Sequence, residues 1–186
     1  MGKLIIFSAP SGAGKTTVVK ELLKSFSNFE FSVSATSRAP RGVEQDGVDY
    51  HFMTNDEFME RVAHNEFVEW EEVYAGTCYG TLRSEMERIW SKGNVILFDV
   101  DVMGGIRLKE IFGEAACSIF VMPPSVETLR KRLIGRATDA PEVIEKRVSK
   151  AEFEISKSPL FDHVIINDDL AIAVSQTEAV IRDFLK

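Results

Sequence analysis

The chain is poor in the residues that staple a fold or ligate a metal. Its 186 residues include only two cysteines and three histidines. Cys78 and Cys117 lie far apart without CxxC spacing, and His51, His64 and His163 add no ligand pattern. A disulfide framework or zinc site is therefore not expected, and both thiols should be free in a reducing cytoplasm. No apolar run reaches the roughly 18 residues that a membrane-spanning helix needs. Positive charge is also scarce: 22 lysines and arginines face 29 acids, for a net charge of −7. Such a balance argues against a general nucleic-acid binder, which needs a basic face. There is no internal repeat, linker or low-complexity tract. The first residues carry one lysine before a short apolar run, which reads as a core strand rather than a secretory leader. The same strand argues against reading Met1-Gly2 as a myristoylation signal.

What remains is an ordinary globular composition, 45% hydrophobic and 27% charged, in a length that suits one domain with modest insertions. Its most informative stretch is residues 4–17, LIIFSAPSGAGKTT. Leu4-Ile5-Ile6-Phe7 suits one buried strand and is too short for a buried helix. Small residues follow, whose glycines can take positive φ. Lys15-Thr16-Thr17 then opens a helical pattern with Val18, Val19, Leu22, Leu23 and Phe26 on its apolar stripe. Strand, glycine-rich loop, Lys-Thr and helix form the setting of a phosphate-binding P-loop. Backbone N–H groups at a helix N-terminus make a concave anion site there. Ser11, Gly12, Ala13, Gly14, Lys15, Thr16 and Thr17 are the candidate nucleoside triphosphate contacts. Lys15 would reach the β- and γ-phosphates, and the Thr16 hydroxyl would bind Mg²⁺. Ala9 stands where the motif usually has its first glycine. The competing reading, an ordinary strand-to-helix turn with a surface lysine, does not explain why context, spacing and Lys-Thr all agree.

Strand and helix signals alternate through the rest of the chain. Apolar runs at 95–98, 117–122 and 164–166 read as strands, and 29–33 reads as a short strand. Helical patterns cover 81–90, 102–112, 126–134, 141–157 and 170–185. Thr54-Asn55-Asp56-Glu57 has capping-box spacing and predicts a helix to about residue 63. Residues 67–74 favour a strand, and 34–49 read as a polar loop. Buried strands separated by helices indicate an α/β fold with a parallel sheet covered on both faces. The polar middle reads as an inserted, partly antiparallel subdomain.

Within that middle, residues 36–52 read TSRAPRGVEQDGVDYHF. The T-S-R, the basic residue three positions on, the acidic residue, the glycine and Y-x-F at this spacing resemble the guanylate kinases. The resemblance runs from Lys3 to the C-terminal helix. It implies a P-loop NTPase three-layer core at about 1–33, 82–125 and 160–186. It also implies a GMP-binding insertion at about 34–81 and a helical lid at about 126–157. By resemblance, Arg38, Arg41, Tyr50 and Tyr79 hold the phosphate of GMP. Arginine suits that task because its planar fork bonds phosphate oxygens in pairs. Glu69 and Asp101, with the hydroxyls of Ser34 and Thr81, would read guanine. Guanine offers an N1–H and an exocyclic amine, so carboxylates suit it. Adenine lacks the N1–H and would leave a carboxylate unpaired at about 1–3 kcal/mol. Read from composition alone, Glu69 could be a solvated strand face and Asp101 a helix N-cap.

Asp99 ends an apolar strand, on the sheet edge where α/β folds bind ligands. It resembles the family's magnesium carboxylate, acting through water. Met103 stands where the family usually has glutamine. Among the lid basic residues Arg130, Arg132, Arg136 and Arg147, the resemblance picks Arg136 and Arg147 as phosphate contacts. With Lys15 and Arg38 they form the expected catalytic set. Asn167 would approach adenine from the side. The implied reaction is ATP + GMP ⇌ ADP + GDP, with dGMP a second substrate, carried out in the cytoplasm on small molecules with Mg²⁺. A kinase for another acceptor would keep Lys15 and the lid but would not need Glu69, Asp101 and Tyr50. A phosphopeptide-binding module of the same fold would not need the intact loop. Monomer and homo-oligomer are both compatible with the sequence.

Overall fold

The computed structural model describes residues 2–135 and 141–186. In chain order the elements begin β1 (Leu4–Ser8), α1 (Lys15–Leu22), β2 (Phe29–Phe31), β3 (Ala35–Thr36), β4 (His51–Phe52), α2 (Asn55–Ala63), β5 (Phe67–Tyr74) and β6 (Thr77–Leu82). They continue with α3 (Arg83–Trp90), β7 (Val95–Asp99), α4 (Val102–Phe112), β8 (Ala116–Met122), α5 (Val126–Gly135), α6 (Pro141–Ser156), β9 (His163–Ile166) and α7 (Leu170–Phe184). Residues 3–29 and 98–186 form one compact unit, and residues 30–97 form a second.

In the first unit β1 pairs in parallel with β8, from Leu4 opposite Ala116 to Ser8 opposite Phe120. β8 pairs in parallel with β9, from Ile119 opposite His163 to Met122 opposite Ile166. All five residues of β1 are buried, as an unbroken apolar run should be when both faces of its strand are covered. Helix α4 packs on β1 and β8, while α7 packs on β8, β9 and α1. Phe120 and Phe161 meet edge to face with centroids 5.3 Å apart. Helices α5 and α6 share a small core of Leu129, Leu133, Ile144, Val148 and Ala151. The mixed α/β fold with parallel pairing is the one expected from the alternating runs.

The second unit holds a four-stranded sheet in the order β4-β3-β6-β5. β3 runs parallel to β4 and antiparallel to β6, and β5 and β6 form an antiparallel pair. Phe58 of α2 seals one face, stacked on Phe67 at 4.4 Å and edge-on to Trp70 at 6.2 Å. The predicted capping box is present. The Thr54 hydroxyl accepts from the Glu57 N–H at 3.2 Å, and the Glu57 carboxylate accepts from the Thr54 N–H at 2.7 Å.

Two local expectations need correction. Thr81 and Leu82 close strand β6 instead of opening the next helix, which starts at Arg83. Thr81 lies opposite Glu69 and Leu82 opposite Phe67, so pairing in the sheet overrides their helical pattern. The polar stretch 34–49 also contains β3. Among the described residues, no helix is long and apolar enough to cross a membrane.

Candidate nucleotide sites

The first site is built where β1 ends. Its loop must turn sharply, and Gly12 (φ 93°) and Gly14 (φ 94°) supply the left-handed conformations that other residues avoid. The Gly14 carbonyl accepts from the Thr17 and Val18 N–H groups, both at 3.1 Å, which starts α1. Ser11, Gly12, Gly14, Lys15, Thr16 and Thr17 line a cleft of about 370 Å³. Asp99, Asp101 and Glu154 face it from the other sides. Ser8 fixes that opposite edge, its hydroxyl donating to the Val100 and Asp101 carbonyls at 3.2 and 3.0 Å.

Lys15 pairs directly with Asp99 inside the cleft. The two residues expected to serve phosphate and metal are thus brought together. Burial pulls the Lys15 ammonium down to about 8, against the Asp101 and Glu154 carboxylates. The direct pair with Asp99 also favours the charged form, because an opposite charge in contact stabilises an ammonium. Asp101 caps α4, its carboxylate accepting from the Gly104 N–H at 2.9 Å. The N-cap that composition allowed is therefore real, and the same exposed carboxylate still lines the cleft.

Ala13 and Asn167 sit behind this cleft. Ala13 is fully buried and spends its N–H on the Pro10 carbonyl at 3.1 Å. Its own carbonyl accepts from the Asn167 amide at 2.8 Å and from Arg132 at 3.3 Å. A second Arg132 nitrogen donates to the Asn167 carbonyl at 3.1 Å. Arg132 thus clasps the loop to the end of β9. Arg130 pairs with Glu145 across α5 and α6, Arg147 is half-buried on α6, and Arg136 lies outside the described residues.

The second site belongs to the other unit. The Arg38 guanidinium lies over the Tyr50 ring at 4.8 Å and donates to the Tyr79 hydroxyl at 3.1 Å. Tyr50 and Tyr79 meet edge to face at 5.9 Å. Glu44 takes both terminal nitrogens of Arg38, at 2.6 and 2.8 Å, and the Arg41 N–H at 2.8 Å. Those bonds, led by Arg38, hold its carboxyl down at about 2. Arg41 itself is exposed, and Ser34 is half-buried with its carbonyl accepting from the His51 N–H at 2.9 Å. On the hairpin, the buried Thr81 hydroxyl donates to Glu69 at 2.8 Å. That bond orients one carboxylate oxygen.

The family model described as guanylate kinase matches residues 1–184. The chain belongs to the guanylate kinase family. A guanylate kinase of Bacteroides thetaiotaomicron is 55% identical over 99% of this chain and 90% of its own length. One from Porphyromonas gingivalis is 52% identical over 100% and 99%. A crystal structure of guanylate kinase from Anaplasma phagocytophilum superposes with a TM-score of 0.75 at 34% identity, covering 98% of this chain and 85% of that one.

Two residues of this guanylate kinase family member escaped sequence reasoning. Glu44 was visible only as the acidic element of a motif, yet it is the partner that fixes Arg38. Glu154 lies on an acid-rich helix, where nothing in its spacing marks it as facing a cleft. Among the described residues, no group of three or more His, Cys, Asp or Glu side chains is arranged to hold a metal ion unaided.

Proposed function

We propose that the chain transfers the γ-phosphoryl group of ATP to GMP, and to dGMP as a second acceptor, in the cytoplasm. The observation that carries the reading is the retention of both halves of such a site in one chain matched by the family model. Lys15 lies in a glycine-turned cleft. Arg38, Tyr50 and Tyr79 form a second polar cluster.

Each part has a chemical task. The glycine-rich loop and Lys15 bind the β- and γ-phosphates of ATP, and Arg38, held in place by Glu44 and Tyr79, offers its positive charge to the phosphate of GMP. Glu69, oriented by Thr81, accepts from the donor edge of guanine, with Asp101 and Ser34 as further acceptors. A nucleoside monophosphate is already an anion near neutral pH, with a second pKa of about 6. No strong general base is needed, and positioning with charge neutralisation dominates. Arg136 and Arg147 would supply cations to the transferring group. The donor set suits Mg²⁺, which is usually held by one or two protein groups together with substrate phosphates. Thr16 and Asp99 would hold it, the latter through water. When bound it neutralises charge on the transferring phosphoryl group.

The test is ADP release from ATP with GMP, dGMP, AMP, UMP, TMP or ribose phosphates as separate acceptors. Turnover confined to GMP and dGMP is expected, and Glu69→Gln should relax that preference. Turnover with AMP or a sugar phosphate alone would sink the guanine assignment. Binding of phosphopeptide without any turnover would sink the kinase reading.

A further inference from the structure

A cleft that accepts a triphosphate should be lined by cations, yet this one presents three carboxylates to one lysine. Two of them have other work. Asp99 is engaged by Lys15, and the exposed Asp101 caps α4 through Gly104. Glu154 is different. It is 8% exposed, and among the described residues its ion-pair partner is Lys150 at 3.8 Å, beyond hydrogen-bond reach. Lys150 has 64% of its side chain in solvent, where such pairs contribute little. Burying a carboxylate without a firm partner is costly. Its placement at a polyanion's cleft therefore calls for a reason. Burial and the neighbouring Asp101 push the Glu154 carboxyl upward. Its place in the lining, beside Asp101, puts it within the cleft.

We infer that Glu154 sets the cleft's preference for a metal-complexed triphosphate over a bare one. An uncomplexed triphosphate meets the Glu154 charge as a repulsion that low-dielectric walls amplify. A divalent cation on the phosphates changes the sign of the nearest interaction and turns the same carboxylate into an attraction. Glu154 is on this view a specificity-determining residue, distinct from the residues that would hold the metal. The inference rests on the nucleotide reading above.

Calorimetric titration of the full chain with ATP, once in chelator and once with excess Mg²⁺, tests it without turnover. Glu154→Gln should bind metal-free ATP roughly three- to tenfold more tightly, without gaining affinity for the Mg²⁺ complex. The wild-type preference for the complex then shrinks by at least that factor. Lys150→Ala, a surface change that unmasks Glu154, should enlarge the preference about two- to threefold. A structural role would shift both affinities by one common factor, and that result overturns the inference. So does a Glu154→Gln chain with an unaltered ratio, or a Lys150→Ala chain with a reduced one. If the wild type binds both forms equally, the inference fails while the nucleotide reading stands. If it binds neither, the nucleotide reading itself fails.

Discussion

Replacing Gly14 by alanine combines two penalties, and a double-mutant cycle separates them. Gly14 sits at φ 94°, ψ 15°, where a Cβ costs roughly 1–2 kcal/mol. That Cβ would also lie 2.3 Å from the Asn167 amide nitrogen. Asn167 is 6% exposed, and its amide is bonded to Ala13. It must move, which breaks a buried hydrogen bond at about 1–3 kcal/mol. Gly14→Ala should therefore cost roughly 2–5 kcal/mol by addition of those terms. Asn167→Ala alone forfeits the bond to Ala13, although Arg132 still reaches that carbonyl, so about 1–2 kcal/mol is expected. In the double variant the clash is gone and only backbone strain is added to the lost bond. Its cost should match that of Gly14→Ala rather than the sum, giving a coupling of about 1–2 kcal/mol. Urea unfolding of the four chains, at constant m-value, reads the cycle. Costs that add to within about 0.5 kcal/mol would refute the clasp as a mechanical unit. ATP affinity should fall in both single variants, because the loop's curvature is what presents its N–H groups.

The other predictions concern the second unit. Glu44→Gln removes the carboxylate that fixes Arg38, and the GMP KM should rise about tenfold with the ATP KM unchanged; steady-state kinetics in both substrates decide it. Glu30 is bonded by Lys92, Arg88 and Asn94, which together hold its carboxyl at about 2 instead of 4.5. Its folded pKa is the lower one, so its stabilisation is fully present above about pH 4.5 and is lost as pH falls towards 2. Glu30→Gln should cost about 1 kcal/mol at pH 7, after allowance for solvent screening, and nothing measurable at pH 2. Chemical unfolding at the two pH values checks the sign.

Reading the sequence located the elements that carry strong local signals. The buried run of β1, the loop glycines and the Thr54–Glu57 box are each specified within a few residues, so neighbours in sequence suffice. β3 and β4 have two residues each, too few to show any period, and exist only through their partners in the sheet. The helical pattern of α3 continues backward into Thr81 and Leu82, and only the β5 ladder decides that those two are strand. The same limit applies at the sites. The Lys15 loop was legible because one contiguous stretch supplies it. The Arg132–Ala13–Asn167 clasp joins positions far apart in sequence, and side-chain direction there is set by tertiary packing. Asp101 shows the same limit: its carboxylate caps a helix, as its local sequence allowed, and also lines the Lys15 cleft, a placement that only the tertiary fold decides.

The position of β5 has a consequence for the protein at high concentration. It lies at the end of its sheet, with β6 as its neighbour there, the position from which a strand of another molecule could extend a sheet. Glu69, Glu71 and Glu72 place three carboxylates along that strand, and the register shifts between Phe67 and Glu69 and between Glu72 and Tyr74. Charge and irregularity both discourage a second edge from docking. The residue proposed to read guanine thus belongs to a group that also keeps the hairpin from seeding aggregates. Trading these acids for neutral residues would endanger solubility even where nucleotide chemistry survived.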